Sequence, residues 1–239
     1  MKTYLILIFT AVVMNAYCQE EKTADSSSEI GSDIPSDSKT DKADQMILDI
    51  NLDLLPDAPD SVKFEYFSRG VGLNLLYDLP FGKGNVGVAF GLALSVHNYF
   101  SNAIVVNQVD TVDNSIYSVL QPFDSDYNYK KNKLSVAYLD VPLELRFRTN
   151  ENSNGKRFKI FAGGRIGYNI NTHSKLIDDN GKYKGYDETN INPFRYGVSF
   201  RLAYGNVGLY AYYGLSTLFE EGKGVKLSPI SAGISVFLF

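Results

Sequence analysis

The sequence is short of the residues on which several classes of protein depend. It contains no tryptophan, two histidines and one cysteine. Beyond the amino terminus it has no apolar run near the ~20 residues that a membrane-crossing helix needs, so a helical membrane protein is excluded. The net charge of -4 leaves no basic excess with which to bind nucleic acid.

The first eighteen residues have the pattern of a signal peptide. A basic residue, Lys2, precedes an apolar run over residues 4–14 that is too short to cross a membrane. Ala16 and Cys18 supply the small residues of a cleavage site, so we expect cleavage after Cys18 and a mature chain without cysteine or disulfides. The alternative is a lipoprotein, in which Cys18 is kept as the lipidated first residue.

Residues 19–45 differ in composition from the rest of the chain. They are rich in Ser and Asp, hold almost no large apolar side chains, and carry eight acids against three lysines. Such a segment cannot bury enough apolar surface to offset the entropy lost on ordering, so we expect a disordered, acidic leader on the periplasmic side. The remaining residues, 46–239, have no net charge and the length of one domain.

From Met46 onward the sequence alternates between apolar and other residues with period two, which indicates β-strands. Within residues 193–204, for example, six large apolar residues share one face, whereas Arg, Gly, Ser and Ala share the other. Eight segments are predicted as strands: 46–54, 64–80, 86–98, 134–148, 158–171, 193–204, 207–217 and 227–239. Their lengths fit the roughly 9–11 residues of a tilted membrane strand with some overhang.

Two features favour a membrane barrel over a soluble β-sandwich, which is the alternative fold. The face with small residues is rich in glycine, which weakens an exposed strand but fits the crowded inside of a narrow cylinder. Short connections also alternate with longer ones, as periplasmic turns and outer loops do. We therefore predict an all-β fold, an eight-stranded antiparallel up-and-down transmembrane β-barrel over residues 46–239. It is expected in the cell outer membrane with both termini periplasmic.

Charged residues occur on the face that is predicted to point inward. An eight-stranded barrel is just wide enough for side chains to fill, and an unpaired buried ion is costly. We expect an internal salt-bridge network in which Asp140 and Glu144 engage two or more arginines. The alternative is a narrow anion-selective path, favoured by the excess of arginine. The predicted network consists of Asp140, Glu144, Arg146, Arg148, Lys159, Arg165, Arg195 and Arg201.

Pro142 is a difficulty in the fourth predicted strand, because proline cannot donate a hydrogen bond to a neighbouring strand. The parity of the apolar residues also changes nearby, since Val136 and Tyr138 are even whereas Leu139 and Val141 are odd. A β-bulge between Tyr138 and Pro142 accounts for both observations.

Candidate catalytic and metal-binding residues are few. Ser95 and His97 both fall on the inward face without an evident orienting partner, and the adjacent His173 and Ser174 point opposite ways from a strand. Four acids occur in one outer loop: Asp178, Asp179, Asp187 and Glu188. They lack the regular ligand spacing of a Ca²⁺ site. We predict a non-enzymatic protein with no catalytic site, no metal and no cofactor.

Three segments resemble the PorT-like outer-membrane β-barrel family. They are KLSVAYLDVPLELRFRT at 133–149, FKIFAGGRIGYNINTH at 158–173 and SRGVGLNLLYDLP at 68–80. The resemblance covers most of residues 64–239, and LDVPLELRF is its most specific part. It implies an outer-membrane location in contact with membrane lipid. For the namesake of the family it implies an accessory role in exporting proteins through a dedicated secretion system.

The sequence ends in an aromatic residue, Phe239, after an amphipathic strand. This ending resembles the signal by which barrel-insertion machinery recognises its substrates. The even residues of the last strand are the apolar ones, so a bulge near Val236 would be needed to turn Phe239 towards lipid.

Two functions of different class follow from these observations. In the first, a non-enzymatic barrel binds a secretion or envelope protein through its outer loops or its acidic leader. Loop 99–133 carries enough apolar surface for such a contact or for a hairpin of its own. In the second, the barrel is a small-solute or anion channel or transporter of the outer membrane.

Overall fold

The computed structural model describes residues 44–82, 85–111, 114–186 and 189–238, and the description that follows is confined to them. Within these ranges there is no helix that could cross a membrane. Several expectations fall outside the described residues: those for the signal peptide, residues 19–43 of the leader, Cys18, Asp187, Glu188 and Phe239.

The described residues form eleven strands. They are β1 (Asp44–Leu54), β2 (Arg69–Phe81), β3 (Val86–Phe100), β4 (Ala103–Val109), β5 (Ile116–Pro122), β6 (Tyr129–Arg148), β7 (Phe158–Asp178), β8 (Lys182–Gly185), β9 (Phe194–Tyr204), β10 (Val207–Gly214) and β11 (Ile230–Phe237). Eight of these, all except β4, β5 and β8, form the wall of a barrel.

The wall strands close into a ring. Each pairs antiparallel with the next wall strand along the chain, and β1 pairs with β11, so that Ile50 faces Ile234 across the seam. Closure removes the free sheet edges that the hydrocarbon interior of a membrane does not tolerate. The predicted eight-stranded antiparallel up-and-down barrel is confirmed.

Burial alternates residue by residue along the wall. In β9 the apolar side chains of Phe194 and Phe200 are 58% and 46% exposed, whereas the residues that follow them, Arg195 and Arg201, are buried. A soluble protein buries its large apolar residues and almost never buries arginine without a partner. The barrel is therefore apolar outside and polar inside, as a membrane requires.

Glycine allows the inside of the wall to be crowded. A methyl group on Gly91 of β3 would overlap the backbone carbonyl oxygen of Leu75 on β2, and one on Gly163 of β7 would overlap that of Leu143 on β6. At these two positions only glycine fits the close approach of neighbouring strands. The predicted glycine-rich inward face thus reflects close packing between strands as well as a narrow interior.

The two ends of the barrel differ. The start of β1, the end of β11 and the short connections 82–85, 149–157 and 205–206 lie at one end, which we call the turn end. The longer connections 55–68, 101–128, 179–193 and 215–229 lie at the other, which we call the loop end. The predicted alternation of short and long connections is confirmed.

Some predicted strand boundaries are wrong. The second wall strand begins at Arg69 rather than at residue 64, because residues 65–68 form a turn closed by the Ser68 amide and the Glu65 carbonyl at 3.1 Å. β10 ends at Gly214 rather than at 217, and β11 begins three residues later than predicted. β1 begins two residues earlier, at the end of the segment predicted as leader.

Two segments predicted as loops also contain strands. Segment 99–133 holds the hairpin of β4 and β5 and the beginning of β6. Segment 172–192 holds the end of β7 and the short strand β8, which pairs with it. β6 and β7 therefore rise as a paired extension well beyond the rest of the wall.

The predicted bulge between Tyr138 and Pro142 is wrong in position. Tyr138 faces Asn169 on β7 while the preceding residue faces Asn171, so Ile170 is the additional residue and the bulge lies on β7. Pro142 itself stays in register with β7. On the β3 side, pairing breaks off between Leu143 and Asp140, where proline has no N–H to donate.

The change of apolar parity has another cause. Val136 and Tyr138 face the inside and are buried, like the even residues that follow them on β6. They are apolar because the interior becomes apolar at the loop end. The last strand is regular as well: β11 keeps one register with both neighbours across Val236, and Phe237 points inward.

Candidate functional site

All eight charged residues that the sequence analysis assigned to the interior face the inside of the barrel. Lys159 is half-buried there, with its Nζ atom 4.6 Å from the centroid of the Phe237 ring. The other seven are at most 6% exposed: Asp140, Glu144, Arg146, Arg148, Arg165, Arg195 and Arg201. The charges form three groups along the barrel axis.

The group nearest the loop end is centred on Asp140. Arg195 donates from Nε and Nη2 to the two carboxylate oxygens, at 2.8 and 2.6 Å. The Ser95 hydroxyl also donates to Asp140, and the guanidinium of Arg165 lies 3.7 Å from the same carboxylate. One carboxylate thus holds two arginines, which is the arrangement that makes a buried ion tolerable.

His97 extends this group. Its Nε2 atom lies 2.8 Å from Nη1 of Arg195, and its Nδ1 atom lies 2.9 Å from Asp53. Because a guanidinium can only donate, Nε2 must accept, and Nδ1 carries the proton that is donated to Asp53. Both ring nitrogens are therefore engaged away from Ser95. The Ser95 and His97 pair is not arranged as a nucleophile and its base.

The middle group joins Glu144 and Asp49 through Arg201. One terminal nitrogen of Arg201 binds Glu144 and the other lies 2.7 Å from Asp49. Asn74 donates to the Asp49 carboxylate at 2.8 Å, and the Ser235 hydroxyl donates to it at 2.5 Å. Five wall strands meet in this group.

The group at the turn end is centred on Asp78. Arg148 forms an ion pair with it, and Nη1 of Arg146 lies 3.3 Å from it. Arg146 also reaches Glu144 at 3.0 Å and the side-chain oxygen of Gln45 at 2.6 Å. Because Glu144 binds Arg201 as well, the turn-end and middle groups are continuous.

Aromatic rings occupy the space between the charged groups. Three guanidinium carbons lie within 4.6 Å of a ring centroid: Arg195 over Tyr138 at 4.1 Å, Arg146 over Phe161 at 4.5 Å and Arg201 over Tyr210 at 4.6 Å. Such stacking adds attraction and excludes water from the ions. The described interior is packed with side chains along its length.

Sequence reasoning missed several members of the network. Asp49, Asp53 and Asp78 are buried and each binds an arginine or His97. The alternation in the sequence could have identified Asp49 and Asp53, since both occupy the polar face of the first strand and that face points inward. Only the register shows that Asp49 meets Arg201 and that Asp53 meets His97.

An apolar cluster closes the interior at the loop end. We call it the apolar cap, and its members are Leu55, Tyr99, Val136, Tyr138, Leu218, Phe219 and Leu227, each at most 5% exposed. Two of these come from β6 and one from β3, whereas Leu218, Phe219 and Leu227 come from connection 215–229. The cap therefore joins wall and loop.

The loops over the cap are hydrogen-bonded to one another. Asn190, which has a left-handed backbone with φ of 61°, donates from its side chain to the Ile116 carbonyl and to the Ser118 hydroxyl, both at 3.1 Å. Its backbone carbonyl accepts from the Glu220 amide at 2.8 Å. One residue thus fastens the β4–β5 hairpin and connection 215–229 to connection 179–193.

The loop acids that were considered for Ca²⁺ are placed only in part, since Asp187 and Glu188 lie outside the described residues. Asp178 accepts from the Tyr127 hydroxyl at 2.6 Å and from two backbone amides at 2.9 Å. Asp179 forms an ion pair with Lys130 at 3.0 Å. Both acids are used to hold the loop itself.

Aromatic pairs mark the borders of the outward apolar surface. Phe158 packs against Tyr204 at the turn end with ring centroids 4.8 Å apart, and Tyr168 packs against Phe194 towards the loop end at 5.3 Å. Ten residues of a tilted strand separate Phe158 from Tyr168, which corresponds to about 25 Å along the barrel axis. That height is the height of the apolar band of an outer-membrane barrel.

A closed ring with an apolar outside, aromatic borders and buried ions defines a transmembrane β-barrel. The family model described as "Outer membrane protein beta-barrel domain" matches residues 46–220, and the chain belongs to this family. Its location is therefore the outer membrane. No curated protein matches the chain. The match is to the broad family and does not distinguish the PorT-like group within it.

Proposed function

We propose that the protein is a non-enzymatic, non-conducting barrel that acts through its loop end on a partner in protein secretion or envelope assembly. The observation that carries the proposal is the filling of the described interior, by ion pairs along its length and by the apolar cap at the loop end. A barrel filled in this way is suited to presenting its loops. In this proposal the loop end faces outward and the turn end faces the periplasm.

The β4–β5 hairpin is the surface that we assign to the partner. Val109 and Ile116 face each other across the hairpin at its far end and are 58% and 49% exposed. The hairpin is held near its far end by Asn190, which donates to the Ile116 carbonyl, and nearer its base by Val105 and Leu120, which pack against the apolar cap. A firmly held hairpin with an apolar tip loses little entropy on binding a protein. The PorT-like resemblance supports a role in secretion for this surface.

Complementation tests this role. Deletion of the gene is expected to reduce the amount of exported protein on the cell surface, measured by surface labelling and mass spectrometry. The wild-type gene should restore export, whereas Val109→Asp combined with Ile116→Asp should not. Gln121→Asp is the matched control, since Gln121 is an exposed residue near the base of the same hairpin. Normal export in the deletion strain would refute the role in secretion.

The alternative is an anion channel, which the excess of arginine favours. Among the described residues six basic side chains, Lys159 and five arginines, line the interior against five carboxylates. Purified protein in planar bilayers is expected to give no steady current, because the ions are paired and the cap is closed. A steady anion-selective current that Arg146→Gln or Arg165→Gln abolishes would replace the proposal by the channel.

A further inference from the structure

Five lysines lie side by side on the outward face of the extension that β6, β7 and β8 form beyond the apolar surface of the wall. We call them the lysine row: Lys131, Lys133, Lys175, Lys182 and Lys184. Lys133 on β6 faces Lys175 on β7, and Lys175 faces Lys184 on β8, so three lysines are direct cross-strand neighbours. Lys131 and Lys182 both face Ile177, one step further from the membrane.

The bulge at Ile170 places Lys175 on the same outward face as Lys133. Before it, the even residues of β7 face lipid, as the exposure of Ile166 and Tyr168 shows. After it, the odd residues pair with the outward residues of β6, and Lys175 therefore shares the outer face with Lys133. Without the additional residue, Lys175 would point to the opposite face.

The lysine row lacks the neutralising carboxylates that the exposed lysines Lys130 and Lys223 have. Side chains directly opposite one another on paired strands lie roughly 4.5–5.5 Å apart at Cβ, and like charges at that distance repel. Within the described ranges no carboxylate lies within ion-pair distance of the row, whereas neighbouring Lys130 pairs with Asp179 at 3.0 Å. Lys133 donates to the Asn98 side chain at 2.5 Å, and Lys131 lies 5.2 Å from the Phe100 ring centroid.

The row lies at the height of a lipid headgroup layer. Towards the loop end, the last outward apolar residue on β6 is Ala137. Ala137 pairs with Val96 on β3, and Val96 pairs with the exposed Val71 on β2. Lys133 lies four residues before Ala137 in the sequence and nearer the loop end, about 13 Å away along a tilted strand and about 10 Å along the barrel axis. The long lysine side chain lets each ammonium group reach back towards the membrane.

We propose that the lysine row binds the phosphate groups of an anionic lipid headgroup in the leaflet at the loop end. A phosphate accepts hydrogen bonds from several ammonium groups at once, and its negative charge would offset the repulsion between Lys133, Lys175 and Lys184. The row faces the lipid side of the wall and adjoins its apolar surface. A lipid whose chains cover that surface thus brings its headgroup to the row. The inference rests on the outer-membrane location and, through the choice of lipid A as the probe, on the proposed outward direction of the loop end, and not on the proposed role in secretion.

Native mass spectrometry of the full chain in a non-ionic detergent tests the proposal. The probe is lipid A with two phosphates, and the reference is the same glycolipid after dephosphorylation. We expect the bisphosphorylated form to bind at least about tenfold more tightly, and Lys133→Gln, Lys175→Gln and Lys184→Gln combined to abolish the difference. The control combines Lys130→Gln, Lys156→Gln and Lys223→Gln, which remove three lysines outside the row and should leave binding within about twofold.

Three results would overturn the proposal: equal binding of both glycolipids, unchanged binding by the row variant, or full displacement by millimolar inorganic phosphate, which would indicate a site for free phosphate. Removing like charges should leave folding intact or favour it. Unchanged heat-modifiable electrophoretic mobility of the row variant would verify this, so that lost binding can be assigned to the lysines themselves.

Discussion

Replacing Asp140 with asparagine keeps the shape of the side chain but removes the carboxylate that Arg195 and Arg165 share. Within the described residues neither arginine has another ion-pair partner, so two buried cations lose their counter-charge at once. Arg195 keeps hydrogen bonds to Ser95 and His97 at 2.9 and 2.8 Å, which do not replace a charge. Breaking a buried pair costs about 3–5 kcal/mol, and we expect Asp140→Asn to lower the free energy of unfolding by about that amount.

Glu144→Gln provides an internal comparison. Arg201 keeps Asp49 at 2.7 Å and Arg146 keeps Asp78 at 3.3 Å after that change, so each arginine retains one carboxylate. The loss is expected at or below the lower end of the same range, about 3 kcal/mol. Asp140→Asn is therefore expected to lower the free energy of unfolding more than Glu144→Gln, because it leaves its arginines without a carboxylate.

The assay is guanidinium titration of the barrel in detergent or lipid vesicles, with the folded fraction read from electrophoretic mobility without heating. Glu151→Gln is the surface control, because Glu151 forms an exposed pair with Arg157 at a turn, and such pairs contribute about 0–1 kcal/mol. Asp140→Asn combined with Arg195→Gln should cost less than the two single changes together. If Asp140→Asn is as mild as Glu151→Gln, the interior is wet and the account of a filled barrel fails.

Three further predictions concern the wall and the loops. Gly91→Ala should destabilise the barrel by about 1–3 kcal/mol in the same titration, because its methyl group meets a backbone carbonyl, whereas Gly72→Ala, with its nearest atom at 3.6 Å, should be mild. The hydrogen bond to Asp178 raises the pKa of Tyr127, so this contact favours the folded loop at neutral pH and is lost as pH rises through that raised pKa. In a spectroscopic titration Asp178→Asn should make one tyrosine ionise at lower pH, and an unchanged curve would contradict the contact. Asn190→Gly keeps the left-handed backbone but removes two hydrogen bonds, and it should speed hydrogen exchange in the β4–β5 hairpin while exchange in the wall strands stays unchanged.

The sequence by itself determined the class of fold, because each strand carries its own evidence. Period two in a strand such as β9 separates a lipid-facing side from an inward side without reference to any other strand. The number of such segments and the order of short and long connections then indicate an up-and-down barrel. The eight charges assigned to the interior followed from the same parity.

Only the tertiary structure decided which charges meet. Asp140 is 55 residues from Arg195 in the chain, and Asp49 is 152 residues from Arg201; pairs so distant depend on the stagger between strands. Parity gives the face of a residue, whereas register gives its height along the barrel axis. Asp49 and Asp53 of β1 were therefore visible as polar positions but not as the partners of Arg201 and His97.

The structure also decided where regular alternation ends. The bulge lies at Ile170 on β7 rather than beside Pro142. A bulge is defined by the pairing of two strands, and within the sequence of one strand it is only a single additional residue. Likewise Val136 and Tyr138 are apolar because they pack within the apolar cap together with Leu218, Phe219 and Leu227 of connection 215–229, an association that neither segment encodes alone. Local sequence fixes which way a side chain points, and the long-range pairing of the chain fixes what it touches.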